Sequence, residues 1–235
     1  MADMPAILAR SFGQDIQIIS DVAYGEKALA LIVKPDSPIQ SVKDIRGRKI
    51  AYGKGTYAQH LLSLLLQKEG MTFDDIQSIN LAAGDIPSAL ASGQIDGAVV
   101  WEQFISQTVM SGQARVVADG TGIKRGNLVT YAVTDYAKKH PEVIEAYIRA
   151  IQRGGDYIRE NPQEAAALLS KDFKVEPAVL ENIFKNVHYD TALTSDDVKE
   201  IRAVGQYLYA QKLIEHEVDM DDFIHLTYLQ AAGIQ

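Results

Sequence analysis

The sequence of 235 residues contains no cysteine, which excludes a disulfide framework, a thiolate metal site and a cysteine nucleophile within it. Its five histidines show no spacing that would put two metal ligands on one helix face, so we predict neither a metal nor a cofactor. No apolar run approaches the roughly 18 residues that a membrane-spanning helix needs. The first residues also lack the basic stretch that begins a signal peptide, so an export signal would lie outside this sequence.

Positive charge is scarce and dispersed. The net charge is −8, and the 23 lysine and arginine residues are scattered along the chain rather than gathered into a stripe. This pattern argues against nucleic acid or an acidic membrane surface as a partner. Hydrophobic residues make up 47% of the sequence, which is enough for a folded α/β protein. An anionic ligand would therefore need a local site of positive potential.

Short β-rich segments alternate with helix patterns in the first half of the chain, as an open, mostly parallel α/β sheet requires. The predicted strands are 16–20, 28–34, 49–52, 78–82, 97–101, 115–118 and 128–133. After residue 133 the pattern becomes almost entirely helical and predicts about five helices, one of them opened by Asp221 near the C-terminus. This helical half can cover sheets but cannot supply one.

Two stretches of sequence carry a resemblance to a known family. Residues 41–62 read SVKDIRGRKIAYGKGTYAQHLL, and residues 89–102 read ALASGQIDGAVVWE. Together with the later segment DYIRENP at 156–162, they resemble the aliphatic-sulfonate, taurine and thiamine-precursor binding proteins of ABC importers. The resemblance implies an α/β fold of the type II periplasmic-binding-protein kind, with two lobes and mostly parallel sheets.

The resemblance also implies a domain division. Residues 1–35 and 128–235 would form lobe one, and residues 36–127 lobe two. Lobe one would be incomplete, because the chain starts where family members have a ligand-facing loop. Met1 would then correspond to an internal methionine, or to an artificial start of the chain. A homodimer or a second chain would then be needed to complete the sheet of lobe one, because unpaired strand edges recruit other chains.

The function implied is capture of a small anionic organic compound between two lobes, for delivery to an ABC permease in the membrane. The full-length protein would be periplasmic or lipid-anchored outside the cytoplasm, and no catalysis is required. Two alternatives remain: an enzyme of the desulfinase or pyrimidine-precursor synthesis type on the same fold, and a ligand-sensing domain. Fold alone does not decide among these classes.

The physical chemistry of one turn supports an anion site independently. Strand 49–52 leads into a glycine-rich turn, and the next helix begins near Thr56 with free backbone N–H groups and a positive dipole end. The Thr56 hydroxyl and the N–H groups of Tyr57 and Ala58 could bind a sulfonate, carboxylate or phosphate, after the tight turn that Gly55 permits. Thr56 could instead be only the N-cap of the helix.

Five further residues are candidates for contact with a ligand. Asp3 and Met4 fall in the segment that matches the family's ligand-facing loop. Trp101 ends a strand and either faces the ligand or belongs to the core. Glu102 either binds an amine of the ligand or favours the helix that follows it through its charge. The amide of Asn127 serves either a turn or the ligand.

Overall fold

A computed structural model describes residues 1–234 and contains all seven predicted strands. They are β1 (Ile16–Ala23), β2 (Leu29–Val33), β3 (Lys49–Tyr52), β4 (Gln77–Asn80), β5 (Gly97–Trp101), β6 (Arg115–Asp119) and β7 (Leu128–Val133). The ends of β3, β5 and β7 agree with the predicted ends. Short apolar runs bounded by turn residues therefore located the strands of this protein correctly.

The described residues form ten α-helices, six of them after residue 133. They are α1 (Asp3–Ser11), α2 (Tyr57–Lys68), α3 (Ile86–Ala91), α4 (Phe104–Met110), α5 (Thr134–Lys139), α6 (Pro141–Glu160), α7 (Pro162–Phe173), α8 (Pro177–Asn186), α9 (Ser195–Ala210) and α10 (Thr227–Ala231). The helix α8 was not among the helices predicted from the sequence. Within residues 1–234, no helix is long and apolar enough to cross a membrane.

The start of the chain differs from its prediction as a loop. The helix α1 begins at Asp3, near the positive end of the helix dipole, and the Oδ1 atom of Asp3 accepts a hydrogen bond from the Met4 N–H (2.6 Å). Pro5 does not interrupt this helix, because a residue in the first turn has no intrahelical acceptor for an N–H. The loop expected at the start of the chain is therefore wrong from Asp3 onward.

Residues 25–125 and 166–187 form one compact unit, called the second unit here. Its sheet has the strand order β4-β3-β5-β2-β6. The strand β3 is parallel to β4 and β5, whereas β2 is antiparallel to both of its neighbours, so four strands run in one direction. The sheet of this unit is therefore mixed, with two parallel and two antiparallel strand pairs, and most of its strands run in one direction, as predicted.

The strand β2 belongs to this sheet and not to lobe one, where the sequence placed it. Leu29 pairs with Trp101 on one side, Ala30 pairs with Asp119 on the other, and all five side chains of β2 are buried. When a strand is buried on both faces and hydrogen-bonded at both edges, its neighbouring strands determine the sheet to which it belongs. The periodicity of its own sequence does not identify those neighbours. The assignment of residues 36–127 to lobe two stays a prediction.

The remaining described residues, 1–24, 126–165 and 188–234, form the first unit. Its two strands, β1 and β7, are antiparallel, with Ile16 opposite Val133. Helices α1 and α6 pack against β1, and α1 also packs against α9. Their apolar faces meet in a core that includes Met4, Ile18, Ile148, Val204 and Phe223.

The predicted helix opened by Asp221 is wrong. The N–H groups of Asp221 and Asp222 both donate to Oδ1 of Asp219, which closes a local turn instead of a helix. The chain then runs beside β1, where Ile18 forms a parallel bridge with Ile224, and α10 begins only at Thr227. A local side-chain bond and a tertiary contact together outweigh the helix-opening signal.

Two neighbouring glycines of α6 allow a matched test of packing in the first unit. A Cβ atom on Gly155 would lie 2.6 Å from the Tyr189 carbonyl oxygen, which Arg159 Nη1 also contacts at 2.7 Å. A Cβ atom on Gly154 would meet no atom within 4 Å. We expect Gly155→Ala to lower the free energy of unfolding by about 1–3 kcal/mol, because a held backbone atom must move.

The control Gly154→Ala should raise the free energy of unfolding by up to about 1 kcal/mol, since alanine is the better helix former. Urea denaturation of both variants beside the parent protein measures the difference. Equal changes in the two variants would contradict the close approach of α6 to residue 189.

Candidate functional site

The candidate site lies in the second unit, where residues 53–56 connect β3 to α2 and are called the glycine turn here. Gly55 has a φ of +75°, a left-handed conformation that glycine adopts at little cost. Its N–H donates to Oε1 of Gln59 (2.7 Å), and the Lys54 N–H donates to Oδ1 of Asn80 (2.9 Å). Two side chains thus hold the turn in place.

Sequence analysis did not identify either of these side chains. Gln59 stands three residues after Thr56, and a glutamine at this position of a helix is a known partner for backbone N–H groups before the helix. That spacing could have identified Gln59. Asn80 is the last residue of β4, and no local signal connects it to a turn that follows β3.

Thr56 has the extended backbone of an N-cap residue, yet its side chain does not cap the helix. Its Oγ1 donates to the Gly53 carbonyl oxygen at 2.7 Å. The hydroxyl therefore closes the glycine turn, and the positive end of the 12-residue helix α2 faces that turn. Tyr57 and Ala58 form its first two positions; the contact of Gly55, Thr56, Tyr57 and Ala58 with a ligand stays a prediction.

A buried cation adds to the positive potential of this helix start. Lys124 is only 1% exposed, and its charge acts on His60 in the first turn of α2. Burial, followed by the charge of Lys124, lowers the pKa of His60 to about 3. A general base works best with a pKa near the working pH, so this imidazole is poorly suited to that role. Sequence analysis did not single out Lys124.

Three aromatic side chains follow one another beside the glycine turn, and we call Tyr57, Trp101 and Phe104 the aromatic row. The ring centroids of Tyr57 and Trp101 are 5.6 Å apart, and those of Trp101 and Phe104 are 5.9 Å apart with nearly perpendicular planes. These are favourable aromatic geometries. Trp101 and Phe104 are half-buried, so Trp101 is neither a fully enclosed core residue nor a freely exposed one.

Glu102 has both carboxylate oxygens engaged by protein donors. The Asn186 amide donates to Oε1 (2.7 Å) and the Ser106 N–H donates to Oε2 (3.0 Å). The second of these bonds satisfies a donor in the first turn of α4, where a negative charge is also favourable. This geometry favours the structural role of Glu102 over the binding of an amine.

The other predicted residues, Asp3, Met4 and Asn127, lie in the first unit and are all fully buried. Met4 packs in the apolar core. The Asp3 N–H donates to the Asn127 carbonyl oxygen (3.2 Å), and Asn127 Nδ2 donates to Asp21 Oδ2 (2.6 Å) and Asp197 Oδ1 (2.9 Å). Asn127 thus connects two buried carboxyl groups, and its contact with a ligand stays a prediction.

The buried Asp21 carboxyl has an unusual proton affinity. Its pKa is raised to about 8, mainly by burial and in smaller part by the charges of Asp197 and Asp3, while the hydrogen bonds from Asn127 and the Val22 N–H oppose the rise. The carboxyl therefore carries a proton over much of the neutral range. Among residues 1–234, no group of three histidine, aspartate or glutamate side chains is placed to hold a metal ion.

The fold is that of the periplasmic solute-binding proteins. The structure is similar to the crystal structure of the periplasmic aliphatic sulphonate binding protein SsuA from Escherichia coli, with a TM-score of 0.87 and 26% identity over 96% of this chain and 74% of that chain. A sequence relative from Escherichia coli (strain K12), named as a candidate aliphatic sulfonates-binding protein, is 27% identical over 93% of this chain and 69% of its own length. These likenesses confirm the predicted fold class.

The sequence profile of the "NMT1/THI5 like" family matches residues 2–165, which is more than half of the chain. This protein therefore belongs to the NMT1/THI5-like family, which confirms the resemblance seen in the sequence.

Two enzymes also resemble the chain, one in sequence and one in structure, with lower values of identity or TM-score. The 4-amino-5-hydroxymethyl-2-methylpyrimidine phosphate synthase of Legionella pneumophila is 22% identical over 91% of this chain and 69% of its own length. The crystal structure of the desulfurization enzyme DSZB has a TM-score of 0.76 at 15% identity, covering 99% of this chain and 83% of that chain. The second likeness concerns the fold alone.

Proposed function

We propose that this protein is the solute-binding component of an ABC importer and captures a small organic anion with a sulfonate-type head group. The observation that carries the proposal is the structural likeness to an aliphatic sulphonate binding protein over 96% of this chain. In this function the protein works outside the cytoplasm and delivers its ligand to a permease in the membrane. It needs no nucleophile, metal or cofactor.

The second unit supports an anion as the ligand. The start of α2, next to the glycine turn, combines the backbone N–H groups of a first helical turn with a positive dipole end, which is a common way for proteins to bind sulfonate, phosphate or carboxylate groups. Lys124 contributes a buried positive charge beside the first turn of α2. Such a site would give a protein with a net charge of −8 a local region that attracts an anion.

The second candidate is an enzyme of the pyrimidine-precursor synthesis type, which the 22% identity to a synthase favours. Such an enzyme would need a general base. His60, the fully buried histidine of the described residues, has its pKa lowered to about 3 and does not fit this role. We therefore favour binding without turnover.

A ligand titration tests the proposal. Methanesulfonate, ethanesulfonate, taurine and a formylaminopyrimidine are added in turn while the melting temperature is followed, and mass spectrometry follows each compound. At about 100 times its Kd, a bound sulfonate should raise the melting temperature by roughly 5–10 °C. Stabilisation by none of the sulfonates would refute the proposed function, and consumption of any compound over several turnovers would favour the enzyme.

A further inference from the structure

We draw no further inference here: the strongest candidate, the exposed apolar stripe that Val143, Tyr147, Ala150 and Tyr157 form along one face of α6, carries nothing because no contact among the described residues 1–234 shows what covers it.

Discussion

We expect the Gln59→Glu variant to fold, with some loss of stability because Gln59 is buried, and to bind sulfonates about 100-fold more weakly than the parent protein. Glutamate has the shape of glutamine, so its Oε1 can still accept the bond from the Gly55 N–H. A negative charge three residues after the N-cap is favourable for a helix. The same charge, about 4–6 Å from a bound anion, would repel it by about 3 kcal/mol at an effective dielectric constant of about 20.

The matched control is Gln67→Glu in the same helix. Gln67 is exposed, and it lies eight positions further along α2, about 12 Å from Gln59 along the helix axis. Over that distance, salt at physiological strength screens most of the added charge. Calorimetric titration of the ligand that binds best, together with a melting curve, compares the variants. Equal affinity of both variants for the ligand would show that the anion does not bind at the start of α2.

The Asp21→Asn variant should abolish a loss of stability that the parent protein shows as the pH rises from about 4 to about 8. Asp21 has its folded pKa raised from 3.8 to about 8. Between these values the folded state holds a proton at Asp21 that the unfolded state has released. The free energy of unfolding therefore falls with pH, by up to about 1.4 kcal/mol per pH unit from this group.

Asparagine imitates the protonated carboxyl at all pH values and can still accept the hydrogen bond from Asn127. We expect the variant to match the parent protein near pH 4 and to become progressively the more stable of the two up to pH 8. Denaturant titrations at pH 4, 5, 6, 7 and 8 measure this. The exposed Asp36 provides the control Asp36→Asn, which should follow the parent protein. If the stability difference between Asp21→Asn and the parent protein stays constant with pH, the pKa of Asp21 is not raised.

Much of the local structure could be predicted because its signals are local. The turn residues around Lys49–Tyr52 and Gly97–Trp101 bound two apolar runs, and the bounds of β3 and β5 followed from them. Proline at the first helical position located the start of α6. The glycine turn before α2 indicated an anion site for the same reason, since turn, helix start and hydroxyl are consecutive in the chain.

Other features depended on partners that are distant in sequence. Residues 221–224 follow β1 rather than a helical path because Ile224 meets Ile18. The strand β2 joined the sheet of the second unit because β5 and β6 satisfy both of its edges. A pattern of side chains along one strand contains no information about which strands will be its neighbours.

The sequence by itself determined the strands of this protein, most of its helices, its family and the place of the glycine turn, because these depend on residues a few positions apart. Only the tertiary structure determined the hydrogen-bond partners and the proton affinity of the buried charged groups. Glu102 accepts a hydrogen bond from Asn186, which is 84 positions away in the sequence. Asn127 donates hydrogen bonds to both Asp21 and Asp197. The proton affinity and availability of a buried group depend on desolvation and on donors that folding brings to it, and neither can be known before the chain has folded.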